Sequence, residues 1–324
     1  MQALNAFTEK QAETAKFLLA GQVAMMMGRK LEEGDWSKVY CIAKGIPDAG
    51  WSNLHIDVNF NGLGLEMKLL RVAGLNGRPL KSVCGTSLMH PAATRSIRID
   101  DTKMKAGAVM ADVFKQYGDL IDQRTARVKA AAPGREPDMR IGWLIWEDNL
   151  AEFLYFEEQM SKPNAKDFFA EWNETPARGV RKASKSLWIY DKKTKQKRYS
   201  VTTSAGIKIQ PYFDVPVPTD RNLYYFRVQS EPVGEDRVQI WVSRATAGDI
   251  RSLVGSLEVG EISQAIIEAA AVAEPVSQPL TLVLERAEPI QMTRGAFDAF
   301  KAAWGGVSDE HRAQLFVQTL RIRG

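Results

Sequence analysis

Two acidic residues and a lysine lie close together in the stretch HIDVNFNGLGLEMKLL, residues 55 to 70. Eight residues separate Asp57 from Glu66, and one residue separates Glu66 from Lys68. Paired carboxylates are ligands that Mg²⁺ accepts in proteins, commonly together with phosphate oxygens and water. A lysine beside them can orient a water, or help to deprotonate it, for attack on phosphorus. The three residues therefore predict metal-assisted hydrolysis of a phosphate ester.

An Asn-Gly pair determines how these residues are positioned. Asn61-Gly62 predicts a two-residue β-hairpin, because a type I′ turn needs positive φ at both positions. In the register that this turn sets, Asp57 lies opposite Glu66. Side chains alternate between the faces of a strand, so Asp57, Glu66 and Lys68 share one face. The other face is predicted to be apolar, with Ile56, Val58, Phe60, Leu63, Leu65, Met67 and Leu69.

The two carboxylates should repel each other across the hairpin. Like charges directly opposite destabilise a sheet, since the Cβ atoms are only about 5 Å apart. A bound divalent cation would offset this repulsion. The alternative is a solvated hairpin face on which Lys68 neutralises both carboxylates, as surface ion pairs do for about 0 to 1 kcal/mol.

The surrounding sequence predicts the elements that hold the hairpin. Apolar residues recur at helical spacing from about residue 8 to 44, as one helix or as two with a break near Gly34. A further helix is predicted over 103 to 131, ahead of a buried strand, MRIGWLIW, at 139 to 146. The predicted order is helix, strand, strand, helix, strand, and one more strand is expected within 78 to 99.

Asp57 with Glu66-Met67-Lys68 on a hairpin, between helices, resembles the PD-(D/E)xK nuclease superfamily, above all its type II restriction endonucleases. The resemblance covers roughly residues 10 to 147, with Ile56 where the family often has proline. It implies an α/β (α+β) fold, a restriction-endonuclease-like mixed sheet flanked by helices. It also implies that Asp57 and Glu66 bind Mg²⁺ and that Lys68 positions the attacking water. An acidic residue from the preceding helix sometimes joins such a metal site, and Glu33 is the candidate here.

Residues beyond 157 have a different character. Residues 162 to 179 read as a loop with a short helical piece, and alternating β segments such as SLWIY and KRYSVTT follow. We therefore predict a catalytic core over 1 to 157 and a β-rich region, assisting DNA recognition, over 158 to 324. TLVLE is predicted as the last strand, with two short helices after residue 294.

Two segments are candidates for DNA contacts. Residues 85 to 98, GTSLMHPAATRSIR, follow the hairpin and offer His90, Arg95 and Arg98 to phosphates and base edges, or they are a connecting loop with incidental arginines. Residues 178 to 198 carry nine basic residues and one acid, a local charge of +8. They read as a hairpin that could follow a phosphate backbone or enter the major groove, or as a solubilising surface. The candidates there are Arg181, Lys182, Lys185, Lys192, Lys193, Lys195, Lys197 and Arg198.

The composition limits the partners and the cellular setting that we expect for this protein. The 324 residues are 45% hydrophobic and carry a net charge of only +4, so attraction to a polyanion must come from local clusters. The two cysteines, Cys41 and Cys84, lack metal-ligand spacing and suggest a reducing, cytoplasmic setting. No signal peptide or membrane span is predicted.

The expected function is Mg²⁺-dependent, sequence-specific hydrolysis of double-stranded DNA. The family resemblance implies products with 5′-phosphate and 3′-hydroxyl ends, and a homodimer that matches a two-fold site. One alternative is a repair or recombination nuclease that acts on DNA structure. Another is a non-enzymatic nucleic-acid-binding protein in which the acidic pair is incidental.

Overall fold

The computed structural model describes residues 4–26, 30–47, 56–91, 97–99, 101–177, 179–180, 182–203, 208–273, 286–305 and 308–323. The helices, in chain order, are α1 (Glu9–Met25), α2 (Glu33–Lys44), α3 (Ala106–Ala131), α4 (Arg244–Val254), α5 (Val259–Ala270), α6 (Arg294–Ala303) and α7 (Asp309–Arg323). The strands are β1 (Val58–Phe60), β2 (Leu63–Arg71), β3 (Ser87–Met89), β4 (Asp138–Trp146), β5 (Glu152–Gln159), β6 (Phe168–Thr175), β7 (Ser184–Asp191), β8 (Lys197–Thr202), β9 (Lys208–Asp214), β10 (Tyr224–Arg227), β11 (Glu231–Val233), β12 (Arg237–Val242) and β13 (Glu288–Thr293).

The predicted hairpin is the start of the first sheet. Asn61 and Gly62 have φ of 53° and 89°, as a type I′ turn requires. Val58 pairs with Leu65, which is the register that the turn predicts. The strand begins at Val58, however, so Asp57 lies in a bend before it and is not paired across the hairpin. The side-chain alternation stops at that bend, and the prediction that Ile56 shares a face with Val58 is wrong.

The first sheet has the order β1-β2-β4-β5-β10. Strands β2 and β4 are parallel, and the other pairs are antiparallel. A parallel pair needs a long crossover, and α3 lies between these two strands in the chain. The predicted helix at 103 to 131 and the predicted strand at 139 to 146 are thus confirmed.

A second sheet has the order β3-β9-β8-β7-β6. The strand expected within 78 to 99 is present as β3, but it pairs with β9 and not with the hairpin. The short helical piece predicted within 162 to 179 is present as a 3-10 helix, Ala165–Asp167, but the loop predicted around it is wrong, because β6 forms there and pairs with β7. Strand β3 precedes residue 157 and β10 follows it, so strands from both sides of the predicted boundary enter the first two sheets.

The C-terminal part combines a sheet of order β11-β12-β13 with helices α4 to α7. Its core includes Ile240, Ile266 and Phe300, each at most 1% exposed. This part holds more helix than the predicted β-rich region, although the two helices after residue 294 are confirmed as α6 and α7. TLVLE lies outside the described residues. The chain as described is a mixed α+β protein.

The first sheet is covered on both faces. On one face, Trp36 and Tyr40 of α2 pack with Leu65 and Met67 of β2, and all four side chains are fully buried. On the other face, α3 contributes Ile121 and Val128 to a second cluster with Met139. Strand β2 is therefore an interior strand, and polar side chains on it are removed from bulk water.

A helix that crosses a membrane must be long and mostly apolar. Within the described ranges, no helix combines the length and apolar content that crossing a membrane demands.

Candidate active site

Glu66 and Lys68 form a buried ion pair on β2. Lys68 Nζ lies 2.8 Å from Glu66 Oε1, and the Glu66 residue is 7% exposed. Burial lowers the pKa of Lys68, but the carboxylates of Glu66 and Glu33 outweigh burial and raise it above its ordinary value. Lys68 is consequently a firmly protonated cation at neutral pH, suited to orienting a water and unsuited to accepting its proton.

Asp57 is tied to the same strand through the backbone. Its Oδ2 accepts a hydrogen bond from the Met67 amide at 2.6 Å. Burial, and then the charge of Glu66, raise the pKa of Asp57 to about 7, against the opposing effect of the Met67 hydrogen bond. The two carboxylates thus act on one another electrostatically, as the sequence predicts, although Asp57 reaches β2 from a bend and not from a paired strand.

Glu33, the first residue of α2, reaches the same cluster. Its Oε1 lies 3.7 Å from Lys68 Nζ. Burial raises the pKa of Glu33, while the charge of Lys68 opposes the rise. The structure therefore brings together Asp57, Glu66, Lys68 and Glu33, the residues that the sequence assigns to catalysis and metal binding.

Arg124 of α3 completes the cluster, and sequence reasoning missed it. Its Nη2 donates to Glu66 Oε1 at 3.2 Å, and its Nη1 lies 3.2 Å from Glu66 Oε2. The signal was available in the helix periodicity. Ile121 and Val128 face the sheet, and Arg124 stands three residues after one and four before the other, on the same inward stripe.

Two cationic side chains, Lys68 and Arg124, lie against the Glu66 carboxylate in this structure. Among the residues that the structure describes, no three His, Cys, Asp or Glu side chains come together to hold a metal ion. Mg²⁺ nevertheless needs only one or two protein carboxylates when phosphate and water complete its shell. Glu66 Oε2 is buried without a well-formed hydrogen bond. This oxygen would suit a hard cation once Arg124, whose Nη1 lies 3.2 Å away, moves aside.

The cluster borders an open cleft. A pocket of about 20 Å³ is lined by Glu66, Lys68, Tyr117 and Arg124 among other residues. It shares Tyr117 and Trp143 with a cleft of about 960 Å³ between the first and second sheets. Arg140, Arg198 and Tyr199 also line that cleft. A phosphate-bearing ligand in the cleft would thus come close to Lys68 and Arg124.

His90 is not placed for the predicted DNA contact. Its side chain is 6% exposed, and its ring lies 5.6 Å from that of Trp143. Burial, and then the charge of Lys68, lower the pKa of His90 to about 4, so the ring is neutral at pH 7. We correct the prediction on physical grounds: a buried neutral imidazole presents no charge or surface to a phosphate.

Of the two arginines predicted near His90, the structure describes only Arg98. Arg98 is exposed, and its backbone amide donates to Gln116 of α3 at 2.9 Å. Its side chain is therefore held at the surface close to α3. Arg95 lies outside the described residues.

The basic hairpin forms as predicted from β7 and β8. Asp191 fixes its turn by accepting hydrogen bonds from the amides of Lys193 and Thr194, at 2.8 and 2.7 Å. Lys192, Lys193 and Lys195 are exposed at the tip. These three lysines form the tip cluster, and they present positive charge to solvent.

The other predicted basic residues differ in their contacts. Lys185 pairs with Glu174 at 3.2 Å, and Arg198 pairs with Asp214 at 2.7 Å. Lys197 lies over the ring of Trp188, 3.4 Å from its centre. Lys182 is exposed, and Arg181 lies outside the described residues.

Comparisons with known proteins add no relative. No protein-family model matches the chain, and no curated protein and no solved structure has significant similarity to it.

Proposed function

We propose that this protein hydrolyses phosphodiester bonds of double-stranded DNA in a Mg²⁺-dependent reaction, leaving 5′-phosphate and 3′-hydroxyl ends. The observation that carries the proposal is the buried cluster on β2, in which Lys68 lies 2.8 Å from Glu66 and Asp57 is electrostatically coupled to Glu66. Burying two acids against one another has an energetic cost, which favours a functional reason for the arrangement.

Each residue has a definable part in this chemistry. Asp57 and Glu66 would hold a Mg²⁺ ion, which supplies positive charge to stabilise the negative charge that develops on the phosphate oxygens. Lys68, being protonated, would orient the attacking water through hydrogen bonds and attract the phosphate. Asp57 must be ionised to act as a ligand, and its pKa of about 7 lets it lose its proton in the neutral range.

The fold gives secondary support. A hairpin that carries Glu66 and is preceded by Asp57, followed by the α3 crossover into a parallel strand, supports the restriction-endonuclease-like core that the resemblance implies. The tip cluster would grip the phosphate backbone, and a cytoplasmic homodimer would present two sites to a two-fold DNA sequence. These assignments belong to the same proposal.

The test is cleavage of unmethylated phage and plasmid DNA by the purified protein, with Mg²⁺ or with EDTA. The Lys68→Ala variant is the matched control, because it removes the cation that would orient the water. We expect discrete bands with Mg²⁺, and a loss of at least about a hundredfold in the variant. Smearing that the variant abolishes would indicate the structure-specific nuclease instead. Equal cleavage by wild type and variant would refute the assignment of Lys68.

A second candidate is a nucleic-acid-binding protein without catalysis. The observation in its favour is that Lys68 and Arg124 already balance the charge of Glu66. On this reading the cluster is a buried structural network, and DNA binding by the tip cluster is the function. Tight DNA binding without cleavage of any substrate, with or without Mg²⁺, would select it.

A further inference from the structure

Arg124 is a residue of the site to which the proposed chemistry gives no part. Its two terminal nitrogens each lie 3.2 Å from a different oxygen of Glu66, and the contact from Nη2 to Oε1 is a hydrogen bond. Lys68 contacts Oε1 from 2.8 Å. Both oxygens of this carboxylate therefore face cations already, and a metal ion can reach Glu66 fully only if Arg124 moves.

Arg124 lies beside a cleft toward which its guanidinium could move. Its side chain is 22% exposed, whereas that of Glu66 is 10% exposed, so the guanidinium lies between the buried carboxylate and the surface. The pocket that it lines with Tyr117 and Trp143 adjoins the cleft of about 960 Å³. A phosphate group in that cleft would offer the guanidinium a second anion of suitable geometry.

The chemistry of arginine permits this exchange. The planar guanidinium fork binds carboxylates and phosphates alike through two parallel hydrogen bonds. It also stays charged at any pH relevant here. Exchanging Glu66 for a phosphate would keep Arg124 paired while it releases the carboxylate.

We propose that Arg124 occupies the cation position on Glu66 in the DNA-free protein and transfers to a substrate phosphate when DNA binds. This inference rests on the proposed function, which needs Glu66 as a metal ligand. It makes metal binding depend on substrate: the site binds the ion weakly alone and more tightly once a phosphate has drawn Arg124 away. Arg124 then has a guard role, in that it blocks the metal site until DNA binds, and it also binds a phosphate of the substrate.

The direct test measures Mn²⁺ binding by calorimetry without DNA. We expect Arg124→Gln to bind Mn²⁺ about tenfold or more tightly than wild type, because a positive charge beside the ligand has been removed. Adding Glu66→Gln should abolish the gain. A role in stability alone would not increase metal affinity, so this readout separates the two explanations.

Two further variants control for charge and folding. Arg127→Gln removes the same charge from an exposed position one turn along α3, and its Mn²⁺ affinity should stay close to that of wild type. Arg124→Lys keeps the charge and loses the fork, so it should fold even if Arg124→Gln does not. Its Mn²⁺ affinity should lie between those of wild type and Arg124→Gln.

The phosphate half of the proposal is tested by DNA binding in Ca²⁺ at several salt concentrations. If Arg124 neutralises one phosphate, Arg124→Gln should reduce the slope of log K against log salt by about 0.9. The Arg127→Gln control should retain the wild-type slope. An unchanged slope in Arg124→Gln would overturn the transfer to phosphate.

The possible results separate this inference from the proposed function. If wild type binds Mn²⁺, Asp57→Asn does not, and Arg124→Gln gains nothing, the metal site stands and the guard role of Arg124 is refuted. If neither wild type nor Arg124→Gln binds Mn²⁺, even with DNA present, the metal site itself is refuted and the inference with it.

Discussion

At the scale of single residues, the cluster on β2 depends on how charge is balanced in a buried place. The sequence predicts that Asp57, Glu66 and Lys68 converge, and they do, although Asp57 arrives from a bend and not through the register that the Asn-Gly turn sets. It could not predict Arg124, which comes from a helix 58 residues beyond Glu66, since the pairing of α3 with β2 is a tertiary contact. The sequence predicts a metal ion because two carboxylates lie together. In the structure, Lys68 and Arg124 offset part of that negative charge.

The raised pKa of Asp57 predicts a dependence of stability on pH. The folded state holds the Asp57 proton more tightly than the unfolded state does. The stability that this proton contributes is therefore fully present below about pH 4 and is lost as pH rises through about 7. Asp57→Asn removes the titration and keeps an oxygen for the Met67 amide. We expect the free energy of unfolding of the variant, relative to wild type, to rise by roughly 2–4 kcal/mol between pH 4 and pH 8.

Urea denaturation across that pH range measures the effect. Asp148→Asn is the control, because its side chain is 69% exposed and pairs with Arg71 at the surface. A difference between Asp57→Asn and wild type that does not change with pH would show that the carboxyl is not perturbed.

At the scale of elements, the close approach of α3 to β2 positions Arg124 over Glu66. Gly64 of β2 marks this contact: a Cβ there would lie 2.6 Å from Val128 Cγ2 and 2.7 Å from Met139 Sδ. A side chain at this position must therefore displace the side chains of Val128 and Met139. Because Val128 lies one turn after Arg124 on α3, we expect such a displacement to disturb the Arg124 to Glu66 pair as well.

Gly64→Val should accordingly disturb both stability and the site. We expect a loss of about 1–3 kcal/mol in the free energy of unfolding, typical of overpacking, and weaker metal-dependent activity than the stability loss alone explains. Gly107→Ala on α3 is the control, because nothing lies within 4 Å of its added Cβ. That variant should change stability by less than about 1 kcal/mol. Equal thermal melting curves for Gly64→Val and wild type would contradict the packing described.

Elements with a regular pattern were predictable, and elements whose charged residues are buried were not. MRIGWLIW is nearly continuous in apolar residues and forms β4. EFLYFEEQ forms β5, but its acidic residues obscured the strand signal. Glu157 within it is 1% exposed and accepts hydrogen bonds from Tyr40 and Tyr155. Only the tertiary structure supplies those partners, so sequence periodicity could not reveal them.

At the scale of the whole molecule, the sheets interleave along the chain. Strand β3 precedes α3 yet joins the second sheet, while β10 follows that sheet yet joins the first. Trp143 of the first sheet stacks on Phe213 of the second, with ring centres 3.8 Å apart. Such long-range pairing leaves no local trace in the sequence. The cleft beside the cluster arises from this interleaving.

The tip cluster predicts how DNA binding should depend on salt. Replacing Lys192, Lys193 and Lys195 together with glutamine should reduce the slope of log K against log salt by about 0.9 for each phosphate that these lysines neutralise. Mn²⁺ binding at the β2 cluster should be unaffected. The control replaces three exposed lysines elsewhere, Lys10, Lys38 and Lys301. If both triple variants change the slope equally, the hairpin has no special part in DNA binding.

The measurement that tests the central claim most directly compares DNA binding and DNA cleavage in the same samples of wild type and Asp57→Asn, with Mg²⁺ at pH 8. The substitution removes one charge and keeps the hydrogen bond to Met67. The account predicts that Asp57→Asn binds DNA at least as tightly as wild type but has lost Mg²⁺-dependent cleavage. Cleavage by Asp57→Asn at the wild-type rate would contradict it, because the β2 cluster would then not be the site of the chemistry.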